Sequence, residues 1–156
     1  MAALQSKIRT CWWFHGNGLE AAKFYCDLLP DSRIDGEFSQ RDGQEPVVVE
    51  FTLAGAPMMV LNGGDMFSQT GAASISVLTE DQAETDRLWD ALTANGGEES
   101  MCGWLKDKYG VSWQITPRRL VELTNSDDHA AAERARQAMF TMKKIDIAAI
   151  EAAYEA

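Results

Sequence analysis

Short stretches of this chain alternate apolar and polar residues every two positions. Others repeat them with a helical period, and the order of the two kinds occurs twice. Lys7 to His15 crowds β-formers together (Ile8, Thr10, Trp12, Trp13, Phe14) and predicts a first strand. Gly16-Asn17-Gly18 turns into a helical pattern from Leu19 to Leu29, with Leu19, Ala22, Phe24, Cys26 and Leu29 on its apolar side, and Pro30-Asp31 stops it. Ser32 to Gln40 predicts a strand that ends in a turn over residues 41–44. Pro46 to Leu53, with Val47, Val48, Val49, Phe51 and Leu53, predicts another. Ala54-Gly55-Ala56 makes a tight hairpin into Pro57–Asn62, which Gly63-Gly64-Asp65 closes.

After Gly71 the order begins again. Ala73–Thr79 predicts a strand. Glu80–Asn95 predicts a helix capped by Thr79 or Asp81, with Leu88, Trp89 and Leu92 inward and Gly96-Gly97 at its end. Glu98–Lys108 holds one or two short strands, and Tyr109-Gly110 turns the chain into Val111–Pro117. The element order is therefore β-α-β-β-β, twice. Phe24-Tyr25 falls where Leu88-Trp89 falls in the second copy, and Gly55 where Gly110 falls. The fold class read from this is α+β, two βαβββ modules forming a cupped mixed sheet, with C-terminal helices. The whole of 1–156 reads as one domain: module 1 about 7–64, module 2 about 72–117, and a helical segment about 118–156. In that segment Ala130–Thr141 and Ile145–Tyr154 are rich in helix formers, with Asp127 or Asp128 and then Asp146 as caps. Met139, Met142, Ile145, Ile147, Ile150 and Tyr154 need a partner surface, in the same domain or on a second subunit.

Strand parity points to a ligand face. Ile75 and Val77 oppose Ser74, Ser76 and Leu78; Val111, Trp113 and Ile115 oppose Ser112, Gln114 and Thr116. The apolar sides belong under helices, which leaves the polar sides lining a concave surface. The first strand divides into Cys11, Trp13 and His15 against Thr10, Trp12 and Phe14. It is apolar on both sides, and the repeat alone assigns the second set to the open face. The expected ligand contacts are Thr10, Trp12, Phe14, Met59, Ser74, Ser76, Trp104 and Gln114, lining a cleft for a small ligand with an apolar body and a few polar handles. The competing reading is a half-exposed sheet face that binds nothing.

Charge and chemistry narrow the function. A net charge of −10 argues against nucleic acid and anionic membranes as partners. No apolar run reaches the 18 or so residues that span a bilayer, and the N-terminus shows no apolar leader. Cys11, Cys26 and Cys102 make an odd count without a CxxC pair, which predicts free thiols and a cytoplasmic setting. Glu50, Cys102 and His15 are the weak catalytic candidates. Glu50 sits inside an apolar strand, as an acid–base group or a paired carboxylate. Cys102 has Lys106 and Lys108 nearby, although a small apolar filler is the commoner role. His15 ends a strand, where a histidine more often bonds a loop than acts as a base. Lys106-Asp107-Lys108 reads as a solvated hairpin face. Trp12 and Trp104 read equally as ligand-stacking or packing rings. Methyl transfer from S-adenosylmethionine needs a glycine-rich loop entering a long helix. Residues 66–71 after Leu61-Asn62-Gly63-Gly64 are too short and broken for one.

Three stretches resemble a known family. Trp13-Phe14-His15-Gly16-Asn17-Gly18-Leu19-Glu20-Ala21-Ala22-Lys23-Phe24-Tyr25 is similar to the strand–turn–helix opening of PhnB-like proteins. These are the branch of the vicinal-oxygen-chelate (glyoxalase/bleomycin-resistance/dioxygenase) superfamily often labelled 3-demethylubiquinone-9 3-methyltransferase. Leu61-Asn62-Gly63-Gly64 and the long run from Cys102 to Gln114 match the same branch, and Ala138–Ile147 is similar to its C-terminal segment. The resemblance implies paired βαβββ modules around a cavity, completed in a homodimer. In metal-using relatives the ligands come from the first and last strands of each module, positions that read here as Thr10, Met59, Ser74 and Gln114. Divalent sites of this class want imidazole and carboxylate, so no metal and no cofactor is expected. The reading is a small-molecule-binding protein. A metal-dependent lyase, isomerase or dioxygenase, and a dimeric interaction protein, are the alternatives.

Overall fold

The computed structural model describes residues 6–41 and 43–156. Residues 1–5 of the N-terminal stretch read as lacking a leader, and Asp42 of the turn at 41–44, lie outside these. The chain divides into two compact units, one ending at Ser68 and one running from Gln69 to Ala156.

The first unit contains β1 (Thr10–Phe14), α1 (Gly18–Leu28), β2 (Arg33–Phe38), β3 (Val48–Leu53) and β4 (Ala56–Asn62). Its sheet has the order β1-β4-β3-β2, with β1 parallel to β4 and the other neighbours antiparallel. Asn17 makes no side-chain cap for α1; instead Gly18 N–H donates to Asn62 Oδ1 at 2.9 Å. The same Asn62 amide donates to Pro46 O at 2.7 Å, so one side chain joins helix start, β4 and the entry to β3. A Cβ on Gly18 would lie 2.0 Å from Val60 Cγ1, and its absence lets α1 sit directly on β4. Tyr25 on the inner side of α1 and Val49, Phe51 and Val60 of the sheet are almost fully buried. Each buried apolar side chain of this size contributes about 2 kcal/mol.

The second unit repeats the plan with β5 (Ser74–Thr79), α2 (Gln82–Thr93), β6 (Glu98–Glu99), β7 (Trp104–Lys106) and β8 (Ser112–Pro117), ordered β5-β8-β7-β6. β5 runs parallel to β8, as β1 does to β4. Gly55 (φ 80°) and Gly110 (φ 85°) hold matching left-handed turns before the last strand of each module. Asp81 caps α2, its Oδ1 accepting from Glu84 N–H at 2.8 Å. Leu88, Trp89, Leu92, Leu105, Trp113 and Ile115 make the core. The two βαβββ modules expected from the repeat are thus present.

The tail forms α3 (Arg118–Thr124), α4 (His129–Met139) and α5 (Ile147–Glu155). α3 begins directly after Pro117, where the helical segment was expected to start, although no separate helix was read over residues 118–124. Leu120, Leu123, Ala135, Ile145 and Ile150 form its core, and Met139, Met142 and Tyr154 pack against it. Much of the apolar side of the tail is therefore covered within its own unit, while Phe140 and Val121 stay exposed. The link between α4 and α5 clasps the module. Cys102 and Gly103 N–H groups donate to Met142 O and Lys143 O, each at 2.7 Å. Gln82 donates to Ile145 O at 3.0 Å and accepts from Ile147 N–H at 2.9 Å. Gln82→Ala leaves both backbone groups without that partner, and we expect a loss of about 2 kcal/mol in urea unfolding. An unchanged midpoint would show that the clasp adds nothing to stability. Among the described residues no helix is long and apolar enough to cross a membrane.

Candidate functional site

The second module carries a polar face free of helix. Ser76, Gln114 and Trp104 align across β5, β8 and β7; Ser74, Ser112, Lys106 and Glu98 form the next row. Register partners point to one side of a sheet, so these seven share a face, while Trp113 and Ile115 are buried on the other with Leu88, Trp89 and Leu92 of α2. The parity expected for this sheet is the one observed, and it brings Ser74, Ser76, Trp104 and Gln114 together. Gln114 Nε2 lies 2.8 Å from Ser74 Oγ, which fixes the amide plane. A pocket of about 370 Å³ opens beside Trp104, lined also by Gly71, Glu98, Glu99, Ser100, Leu105, Lys106 and Ser112. Lys106 Nζ pairs with Glu98 at 2.8 Å.

The hairpin that presents this face is built on Asp107. This residue was expected on a solvated hairpin with its lysine neighbours, and the structure corrects that: it is 1% exposed. Oδ1 accepts from Tyr109 N–H at 2.9 Å and Val111 N–H at 3.0 Å, and Oδ2 accepts from Trp113 Nε1 at 2.9 Å. A buried carboxylate needs such a full set of donors. The sequence signal was Trp113 six residues downstream, across a Tyr-Gly turn. Cys102, with φ at 58°, bends the chain into β7 and is held there through its backbone N–H. Its thiol is partly buried.

In the first module the facing is the reverse of the expectation. Trp12 (7% exposed) and Phe14 (2%) lie in the core beside α1, so they do not line an open face. Trp12 aligns with Val60, the residue that meets Gly18, and Thr10 with Met58. The helix-free side instead carries Cys11, Trp13, Glu50, Met59 and Leu61. Thr10 and Met59 therefore fall on opposite faces of their sheet. Glu50 is ion-paired with Arg9, the paired-carboxylate alternative to a free acid–base group. Partial burial pushes the Cys11 thiol up, against a weaker opposite pull from Arg9; a protonated thiol is the poorer nucleophile and ligand.

His15 Nε2 lies 3.0 Å from Phe67 O, the loop-bonding role. Trp13 Nε1 donates to Gly64 O at 2.8 Å, and its ring meets Phe67 edge-on at 4.9 Å. A Cβ on Gly63 would lie 2.2 Å from the Trp13 ring. Leu61-Asn62-Gly63-Gly64 is thus a latch that folds residues 63–67 onto Trp13, and residues 65–73 after it contain no helix.

Among the described residues no three His, Cys, Asp or Glu side chains gather as a metal-binding group. The family profile described as 3-demethylubiquinone-9 3-methyltransferase matches residues 6–116. The chain belongs to this family. It is a PhnB-like member of the vicinal-oxygen-chelate superfamily. A PhnB protein from Bacillus cereus is 32% identical, covering 72% of this chain and 99% of its own, with a TM-score of 0.63. Protein PA1353 from Pseudomonas aeruginosa is 21% identical over 72% of this chain and 98% of its own, with a TM-score of 0.59. The fosfomycin resistance protein FosX from Listeria monocytogenes, solved with Mn(II) and sulfate, shares the fold at 11% identity. It covers 73% of this chain and 90% of its own, with a TM-score of 0.50. No functionally curated protein matches the sequence. The family match ends before α3, so the whole tail extends the PhnB-like unit.

Proposed function

We propose that this PhnB-like protein binds a small, partly apolar or aromatic ligand on the helix-free face of its second sheet, without a divalent metal. The supporting observation is the pocket beside Trp104, large enough for a ring-sized ligand, on the face where the Ser74-bonded Gln114 amide is the register partner of Trp104. Trp104 supplies an apolar face for stacking; Gln114, Ser76 and Ser112 supply polar handles. Ligand carried through purification can be identified by mass spectrometry and its affinity measured by calorimetry. Trp104→Ala and Gln114→Ala are each expected to weaken it about tenfold, with little change in melting temperature. Wild-type affinity in both variants would place the site elsewhere.

The metal-dependent alternative draws on relatives such as the Listeria protein. The residues do not fit it. Thr10, Ser74 and Gln114 are neutral oxygen donors, Met59 is a thioether, and Glu50 is committed to Arg9. A stoichiometric divalent ion that survives dialysis would overturn this reading. Methyl transfer lacks support as well, since the glycines after β4 form a latch and lead into no helix. Three free cysteines favour a cytoplasmic setting. The family resemblance favours a homodimer, and a monomer mass in sedimentation equilibrium would refute that.

A further inference from the structure

The dipeptide Asn-Gly occurs three times in the chain, at Asn17-Gly18, Asn62-Gly63 and Asn95-Gly96. At such a step the backbone nitrogen of glycine can attack the side-chain carbonyl carbon of asparagine. A C–N bond forms and the amide C–N bond breaks. The amide nitrogen leaves as ammonia, taking the glycine N–H proton, and a cyclic succinimide remains. Water then opens the ring. Cleavage at the side-chain carbonyl gives aspartate; cleavage at the main-chain carbonyl gives isoaspartate, with the chain rerouted through Cγ. Glycine favours the closure because no Cβ shields its nitrogen. The side-chain amide must still swing onto that nitrogen, and the fold decides where it can.

Two of the three steps are locked. Asn62 spends both ends of its amide: Oδ1 accepts from Gly18 N–H at 2.9 Å, and Nδ2 donates to Pro46 O at 2.7 Å. Gly63 N–H donates to Phe14 O at 3.0 Å, and the Trp13 ring lies where a Gly63 Cβ would be. At the first step the amide of Asn17 is exposed and caps nothing. There the attacking group is the one held, since Gly18 N–H is what Asn62 Oδ1 accepts, and Gly18 is buried against Val60. Asn17 O also accepts from Ala21 N–H at 3.1 Å, which fixes this peptide at the start of α1.

The third step lies in the turn between α2 and β6 and is built differently. Asn95 is exposed, and no hydrogen bond to a described residue holds its side chain. Gly96 is exposed too, and no atom comes within 4 Å of the place its Cβ would take. The bond across the turn, from Gly97 N–H to Ala94 O, is long at 3.3 Å. Left-handed φ values of 55° and 108° explain why the turn uses Asn and then Gly. That choice also creates the step most open to cyclisation.

We propose that Asn95-Gly96 is a site of spontaneous modification in the folded protein, and that the fold shields the other two steps. Isoaspartate at 95 adds one carbon to the main chain just before β6. In that edge strand Glu99 accepts from Trp89 Nε1 at 3.0 Å.

For the test, full-length protein is held in warm, mildly alkaline buffer, with and without guanidinium chloride. Samples taken over time are digested and mapped by mass spectrometry, and isoaspartyl and aspartyl peptides are separated by chromatography. In the folded protein Asn95 is expected to deamidate at least about tenfold faster than Asn17 or Asn62, which needs a local opening cost of only about 1.4 kcal/mol at those two. In denaturant the three rates should converge, and both products should appear at 95. Asn17 or Asn62 keeping pace with Asn95 in the folded protein would overturn the shielding. A gap that persists in denaturant would show that neighbouring sequence, not the fold, selects the site. Aspartate without isoaspartate would rule out the cyclic route. An Asn95 that reacts only in denaturant would overturn the proposal altogether.

Discussion

Asp107→Ala should lower the unfolding free energy by about 4 kcal/mol and the melting temperature by roughly 10 °C. The substitution removes the acceptor for Tyr109 N–H, Val111 N–H and Trp113 Nε1 together. Hydrogen bonds to a charged group are worth about 1.5–3 kcal/mol each, and donors left dry carry their own penalty. The three share one carboxylate, so their effects do not simply add. Asp107→Asn keeps the volume and one acceptor but turns an NH₂ toward an N–H, and about half the loss is expected. Urea unfolding monitored by circular dichroism measures both. A loss below 1 kcal/mol for the alanine variant would mean that the β7–β8 hairpin does not depend on this carboxylate.

The second large effect is at Gly103. A Cβ there would lie 2.7 Å from the backbone oxygen of Ile115 and 3.3 Å from Ile145 Cγ1, in a residue whose φ is 80°. Side chains rarely adopt that conformation, and the oxygen belongs to a strand that cannot yield cheaply. Gly103 also accepts from Ile115 N–H at 2.8 Å and donates to Lys143 O. Gly103→Ala must therefore part β8 from the turn and loosen the clasp of the tail. A loss of about 3 kcal/mol is expected, with faster hydrogen exchange at Gly103 and Ile115. Gly110→Ala is the control: its φ is 85°, but its nearest neighbour is the Gln69 side chain at 3.7 Å. Conformational cost alone predicts about 1 kcal/mol there. Equal losses at the two glycines would show that the close approach at Gly103 plays no part.

These residues lie in the run from Cys102 to Gln114, which the family resemblance singles out. The structure divides that run by face. Asp107, Gly103, Gly110 and Trp113 build the hairpin, and Trp104, Lys106, Ser112 and Gln114 are what it displays. Half of such a motif concerns folding, and a resemblance alone does not say which half. The Leu61–Gly64 stretch resolves in the same way: its glycine serves the Trp13 ring and its asparagine the start of α1.

By itself the sequence determined the order of elements, their repetition and the polar face of the second sheet. Those follow from local periods, and β5 and β8 alternate strictly enough to separate two faces. The tertiary structure alone decided which face of β1 is covered. Trp12, Trp13 and Phe14 are all apolar, so alternation defines two sides without choosing between them. The choice is made by parallel pairing with β4, about 48 positions away, and by the side on which α1 crosses. The burial of Asp107 was decided there too, because a charge goes inside only where three donors from the folded turn already converge.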